Sequence, residues 1–205
     1  MRHSWFGTAI MWVAVFAPGC GPTGATGAVE PSGGGTESHE GHGTPTPQGT
    51  EPVEPFVATA ELAGPAGSPV RGVITFTQSD GTVAVHAEVS GVPDPGEHGF
   101  HVHDVGDCSA EDFSSAGGHF NPAGAPHAGP HDASRHAGDL GNFTVADDGT
   151  GTLDLVTDLL TVADGPHAVV GRSVILHAAR DDQSTQPTGN SGARIACGVV
   201  QAAAP

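Results

Sequence analysis

Residues 70–90 read VRGVITFTQSDGTVAVHAEVS, two runs of alternating side chains joined by Asp80-Gly81. In the second run, residues 82–90, three valines and Ala87 occupy every other position, and the residues between them are mostly polar. A period of two residues is that of a β-strand with one buried face. Asp-Gly is a frequent hairpin turn. This stretch therefore predicts two antiparallel strands.

The same alternation recurs through residues 56–205 and predicts a β domain there. The eight predicted strands lie near residues 56–62, 70–77, 82–90, 99–104, 142–147, 152–157, 172–178 and 194–201. Because no long stretch repeats every 3.6 residues, a helical fold is excluded. We expect an all-β, eight-stranded antiparallel Greek-key barrel or sandwich. Two segments, 105–141 and 179–193, are too long for hairpin turns and are predicted to be functional loops.

The first 19 residues are predicted to be a signal peptide. A basic start precedes an apolar run, residues 6–17, that is too short to span a bilayer. Residues 17–20 read APGC and resemble the lipidation site of bacterial lipoproteins, with Cys20 as the lipidated residue. The alternative is an ordinary cleaved secretory signal. Both interpretations predict an exported protein of the cell envelope or periplasm, and the first adds a membrane anchor on Cys20.

Residues 20–55 are predicted to be a disordered linker. They are rich in Gly and Pro, carry several Glu, and have few apolar side chains. Such a chain cannot bury enough surface to offset its ordering entropy. His39 and His42 within it are either a weak metal-gathering tag or part of a solvated tether. The domain proper would then occupy residues 56–205.

Charge and histidine content narrow the function classes. The chain of 205 residues has a formal net charge of −17, with 23 Asp and Glu against 6 bases, all of them Arg. A surface this acidic repels phosphate backbones, which excludes a nucleic-acid binder. The 13 His residues in so acidic a chain point to divalent metals.

Residues 99–103, GFHVH, place two of these histidines together. On a strand, residues i and i+2 point to the same face, so His101 and His103 would project side by side. Phe100 and Val102 would point to the opposite, apolar face. Two imidazoles on a rigid strand form half of a metal site.

Four further motifs follow in order. They are GGHFNP at 117–122, RHAGDLGN at 135–142, ILHAARDD at 175–182 and GNSGARIACGVV at 189–200. With GFHVH, they resemble the copper–zinc superoxide dismutase family across residues 56–201, and the position of Cys108 is similar to that in bacterial exported members. The implied reaction is dismutation of superoxide to dioxygen and hydrogen peroxide, as antioxidant defence.

The resemblance implies a ligand set for each metal. The implied copper ligands are His101, His103, His119 and His177. The implied zinc ligands are His119, His127, His136 and Asp139, so His119 would bridge the two metals as imidazolate. All-imidazole donors suit a redox copper, and three His with a carboxylate suit a closed tetrahedral zinc site.

The resemblance also implies the roles of the surrounding residues. Arg194 would attract superoxide and, with the proton-carrying His119, form the catalytic pair. Asp181 would accept hydrogen bonds from His103 and His127, and Thr188 would narrow the entrance. Cys108 and Cys197 would form a disulfide, and a homodimer is compatible with the family.

Some histidines and two rival functions stand outside this interpretation. Four histidines are predicted to be structural or solvated: His86, His98, His131 and His167. One rival function is a metal-sequestering lipoprotein without turnover, and the other is a structural envelope anchor. The complete ligand set and Arg194 favour the enzyme over both.

Overall fold

The computed structural model describes residues 56–203 and contains eight β-strands there. Their bounds are β1 Phe56–Ala63, β2 Arg71–Ser79, β3 Thr82–Ser90, β4 Gly96–His103, β5 Asp139–Val145, β6 Gly151–Thr157, β7 Ser173–His177 and β8 Arg194–Ala202. All eight predicted strands are confirmed. The predicted signal peptide and linker, with Cys20, His39 and His42, lie outside the described residues.

Two strands begin earlier than the sequence pattern predicts. β4 starts at Gly96 and β5 at Asp139, each three residues before its expected start. Apart from Leu140, the early residues are glycines and polar or charged side chains, which carry no alternating signal. They extend because β4 and β5 pair along their length, from Gly96 opposite Val145 to His101 opposite Asp139.

The strands form one antiparallel sheet in the order β5-β4-β7-β8-β1-β2-β3-β6. The two end strands, β5 and β6, follow each other in the chain and are joined by residues 146–150. A backbone hydrogen bond of 2.8 Å from the Ala146 amide to the Thr150 carbonyl closes that turn. The sheet is thus a nearly closed barrel. Since β3 neighbours β6 and β4 neighbours β7, the connections cross the barrel ends as in a Greek key.

The core follows the alternation along β1, β2 and β3. On β3, the three valines and Ala87 are buried, while Ala84, His86 and Glu88 face solvent. β4 differs because both of its faces are covered from His98 to His103. Phe100 packs in the barrel against Phe143, with ring centroids 5.6 Å apart. The histidines of the opposite face are therefore covered by loops.

Two long loops connect the strands that carry these histidines. They span residues 104–138 and 178–193, so both predicted loops are present, and the first ends three residues before its predicted end at 141. The first loop contains a short 3-10 helix, Ser114–Ala116. Within residues 56–203, no helix is long and apolar enough to cross a membrane.

Candidate metal centre

Three buried imidazoles come from two neighbouring strands. His101 and His103 lie on β4, and His177 is the last residue of β7, which pairs with β4. His119, from the first long loop, forms a single β-bridge with His103. Each of these four side chains offers one nitrogen, and the four nitrogens lie within 4.8 Å of one another. We call them the first group.

A second group shares one member with the first. It consists of His119, His127, His136 and Asp139, with ligand atoms again within 4.8 Å of one another. The three histidines belong to loop 104–138, and Asp139 begins β5. All four are buried. His119 thus stands between two sets of donor atoms.

The spacing within the second group is that of a tetrahedral cage. Asp139 Oδ1 lies 2.9 Å from Nδ1 of His119, 3.0 Å from Nδ1 of His127 and 3.2 Å from Nδ1 of His136. The Nδ1 atoms of His119 and His136 are 3.4 Å apart. Four ligands about 2.0–2.1 Å from a tetrahedral zinc ion would be roughly 3.3 Å from one another. The second group therefore fits zinc.

In the first group, hydrogen bonds fix one nitrogen of each ring on a strand. His103 Nδ1 lies 3.0 Å from the Gly117 carbonyl, and His177 Nδ1 lies 3.3 Å from the Gly192 carbonyl. The Nε2 atoms of these two rings then face each other at 3.4 Å. Such partners set the tautomer and leave the other nitrogen free to bind metal.

Two buried nitrogens lack a hydrogen-bond partner. Among residues 56–203, the buried side-chain polar atoms without a partner are His101 Nδ1 and His119 Nε2. Leaving such atoms unsatisfied costs about 1–3 kcal/mol each, so native proteins rarely do it. Both belong to the first group, where an all-imidazole donor set suits copper. The orphaned atoms are explained if they are metal ligands.

Asp181 corrects one prediction. Its Oδ2 lies 2.8 Å from Nε2 of His101, and its Oδ1 lies 2.9 Å from Nε2 of His127. The predicted partner His103 is wrong, because its Nδ1 turns to the Gly117 carbonyl instead. Asp181 still joins one histidine of each group, so a single carboxylate orients a ring on both sides of His119.

Burial keeps the three strand histidines of the first group, His101, His103 and His177, neutral. It lowers the pKa of His101 to about 4 and the pKa of His177 to about 3. The pKa of His103 is also lowered well below its usual value, chiefly by burial. Neutral imidazole is the form that binds metal. The strand histidines are therefore ready to bind without losing a proton at neutral pH.

The carboxylates act in the opposite direction on His127. Although burial lowers it, hydrogen bonds to Asp139 and Asp181 raise the pKa of His127 to about 9. In return, and against the effect of burial, histidine contacts hold the pKa of both carboxyls well below their usual range. Asp139 and Asp181 therefore stay ionised at all ordinary pH values.

Arg194 places a cation beside the first group. It begins β8 directly opposite His177 in the β7–β8 pair. Its guanidinium donates to the carbonyls of Phe113, at 2.5 Å, and Gly117, at 2.6 Å. Burial is the main cause of the low pKa values of His103 and His177, and the neighbouring rings come next. The positive charge of Arg194 lowers both pKa values further. The arginine thus lies beside the first group, and its role in attracting superoxide stays a prediction.

A disulfide joins Cys108 to Cys197, as predicted, with Cα atoms 5.8 Å apart. It ties loop 104–138 to β8 three residues beyond Arg194. Thr188 is half-buried in loop 178–193, and its carbonyl accepts a 2.9 Å hydrogen bond from the Ser191 hydroxyl. Its role at an entrance stays a prediction.

The four histidines predicted to have other roles lie outside both groups. His86 is exposed and pairs with Asp154 at 2.7 Å, and His131 is exposed in loop 104–138. The ring of buried His98 lies 2.9 Å from the His177 carbonyl, so it supports the backbone of the site. The sequence interpretation missed Gln186, whose side chain contacts the backbone of His127. A contact with backbone leaves no residue pattern that could have revealed it.

Comparisons with known proteins agree with this geometry. Residues 70–200, more than half of the chain, match the family model described as copper/zinc superoxide dismutase. The chain is also similar to the crystal structure of the clock protein EA4, with 44% identity and a TM-score of 0.65. That match covers 73% of this chain and 96% of the other. The family implies copper and zinc, and the two groups suit both metals. The chain belongs to the copper/zinc superoxide dismutase family.

Proposed function

We propose that this protein converts two superoxide ions and two protons into one dioxygen and one hydrogen peroxide. The observation that carries the proposal is the position of His119. Its Nδ1 lies among the second group, 2.9 Å from Asp139, and its Nε2 is buried without a protein partner. One ring can therefore serve two metals at once, which suits a two-metal redox site better than a simple storage site.

We assign copper to the first group and zinc to the second. The copper ligands would be His101, His103, His119 and His177. The zinc ligands would be His119, His127, His136 and Asp139. Bound copper would supply one-electron chemistry, and zinc would hold His119 in place.

The protein's own groups would bind the substrate and move the proton. The Arg194 guanidinium, anchored by two carbonyls, offers a fixed positive charge to a small anion. His119 Nε2 would take up a proton and donate it as peroxide forms. Asp181 would keep the rings of His101 and His127 oriented throughout. Thr188, near the end of the same loop, would restrict the entrance to small anions.

The test is superoxide consumption by the full chain loaded with copper and zinc. We expect His119→Ala to abolish the activity. His131→Ala is the matched control, since it removes an exposed histidine of the same loop and should leave the rate unchanged. Equal rates for wild type and His119→Ala would contradict the proposal. Metal binding without superoxide consumption would instead indicate a metal-sequestering protein.

We also propose that the enzyme works outside the cytoplasm, anchored through a lipid on Cys20. The apolar leader and the APGC sequence support this, and the Cys108–Cys197 disulfide suits an oxidising compartment. Mass spectrometry of the mature N-terminus should find a lipidated Cys20. Cys20→Ala should release the protein from the membrane fraction. An unmodified N-terminus at another residue would favour an ordinary secretory signal.

A further inference from the structure

We propose that Gln186 is a positioning residue for His127 and thereby sets the affinity of the second group for zinc. The inference rests on the proposed assignment of zinc to that group. The Gln186 side-chain amide uses both of its polar atoms on His127. Its Oε1 accepts from the His127 amide at 2.8 Å, and its Nε2 donates to the His127 carbonyl at 2.7 Å.

His127 needs this support because no strand holds it. His101, His103 and His177 are fixed by the hydrogen-bond ladders of β4 and β7. His127 lies in loop 104–138, outside any regular element, yet is only 2% exposed. A buried backbone amide and carbonyl must find partners. At His127, Gln186 supplies both of them, as a neighbouring strand would.

The same loop also holds the imidazole ring. Asp181, five residues before Gln186, lies 2.9 Å from His127 Nε2. Loop 178–193 therefore contacts His127 in two places, at its ring and at its backbone. The only ring nitrogen left to bind metal is Nδ1, which is 3.0 Å from Asp139. Gln186 fixes the position of the His127 backbone, and Asp181 fixes the orientation of the His127 ring.

The contact of Gln186 with the His127 backbone should affect the zinc affinity of the second group more than the copper affinity of the first. Without the Gln186 amide, the backbone of His127 can shift, and its Nδ1 leaves the tetrahedral position. Partners that orient a metal ligand typically change metal affinity about 10–100-fold. We expect a loss of that size for zinc. Copper affinity should change much less, because three of the four copper ligands are on strands.

The experiment is a metal titration of the demetallated full chain against a competing chelator. Cobalt(II) is the probe for the second group, since its visible absorption reports tetrahedral coordination, and zinc then displaces it. Copper is titrated separately. The variants are Gln186→Ala and Gln186→Glu. Gln183→Ala is the matched control, a glutamine of the same loop that makes no side-chain hydrogen bond to His127.

Gln186→Glu separates positioning from charge. The carboxylate could still accept from the His127 amide, but its second oxygen would face the His127 carbonyl and repel it. A positioning role predicts weaker zinc binding in this variant, despite the added negative charge. A purely electrostatic role predicts tighter zinc binding. If Gln186→Ala fails to fold, Gln186→Asn tests the same contact, because its amide is one methylene too short to reach both groups.

The expected result is weaker zinc binding and an altered cobalt spectrum in both Gln186 variants, with Gln183→Ala like wild type. Wild-type zinc affinity in Gln186→Ala would overturn the proposal, and so would an equal loss of zinc and copper. The readout does not depend on turnover. If the wild type fails to consume superoxide, the proposed function fails, whereas the role of Gln186 is still decided by the titration.

Discussion

Arg194 and His103 donate to the same acceptor, the carbonyl of Gly117. The arginine Nη2 lies 2.6 Å from that oxygen, and the histidine Nδ1 lies 3.0 Å from it. One peptide group therefore sets the position of the cation relative to a candidate copper ligand. A shift of the Arg194 guanidinium would therefore disturb His103 as well. We expect the activity to depend on the position of Arg194 as well as on its charge.

Replacing Arg194 should separate the effect of its charge on the rate from the effect of its position. Arg194→Ala removes the charge, and we expect superoxide consumption to fall on the order of tenfold or more. Arg194→Lys keeps the charge but lacks the planar guanidinium whose two terminal nitrogens each reach one carbonyl, so it should recover only part of the rate. Arg71→Ala is the control for loss of one positive charge elsewhere on the barrel. A full recovery in Arg194→Lys would show that the anchoring carbonyls are irrelevant.

The reaction should depend only weakly on salt. Two arginines near the loops are paired with carboxylates at 2.6 Å, Arg172 with Asp104 and Arg180 with Glu97. The chain has no lysine, and its net charge is −17. Attraction of superoxide then depends on Arg194 and the metals. Because these charges act over a distance shorter than the Debye length, dissolved salt screens them little. A plot of kcat/KM against ionic strength should be shallow. A steep fall with added salt would contradict this expectation.

The demetallated protein should lose stability as it is acidified. Burial lowers the pKa of His101 to about 4 and that of His177 to about 3, below the value near 6.5 of an unfolded histidine. Below about pH 6.5, the unfolded chain therefore binds protons that the folded chain excludes. The unfolding midpoint in urea should fall steadily between pH 6.5 and 4. A midpoint that stays constant over this range would show that these imidazoles are not held neutral.

Substitution of Gly189 should lower zinc affinity, because Gly189 packs against the hydrogen bond between Asp181 and His127. Its φ is +65°, and a Cβ there would collide with Asp181 Oδ1 and lie 2.6 Å from His127 Nε2. Gly189→Ala should therefore break the contact between these residues and lower zinc affinity. Gly124→Ala is a matched control, since its φ is +64° and a Cβ would meet nothing within 4 Å. The control should show only backbone strain, about 1–2 kcal/mol of unfolding free energy.

Alternation and i, i+2 spacing were enough to predict the eight strands and the shared direction of His101 and His103. Both signals are local, so a single sequence reveals them. The partner of Asp181 was predicted wrongly because the choice between His101 and His103 depends on a backbone carbonyl, that of Gly117. Gln186 was missed for the same reason. Side chains that bind backbone are chosen by loop geometry, which residue spacing does not encode.

Opening the Cys108–Cys197 disulfide should affect both stability and activity. The bond closes a loop with a sequence separation of 89. On the entropic account, a loop of that size contributes about 4–5 kcal/mol to the free energy of unfolding. The carbonyls that hold Arg194, those of Phe113 and Gly117, lie between Cys108 and His119. Without the bond, this segment is free to move away from β8.

The double variant Cys108→Ser/Cys197→Ser tests both effects in the full chain. Its unfolding free energy should fall by a few kcal/mol, measured with urea at neutral pH. Its rate should also fall under conditions where it remains folded and holds both metals, since Arg194 loses its anchors. Wild-type protein treated with reductant should match the variant. Unchanged turnover in a folded, fully loaded variant would mean that β8 alone holds Arg194, independently of the segment that carries its two carbonyl partners.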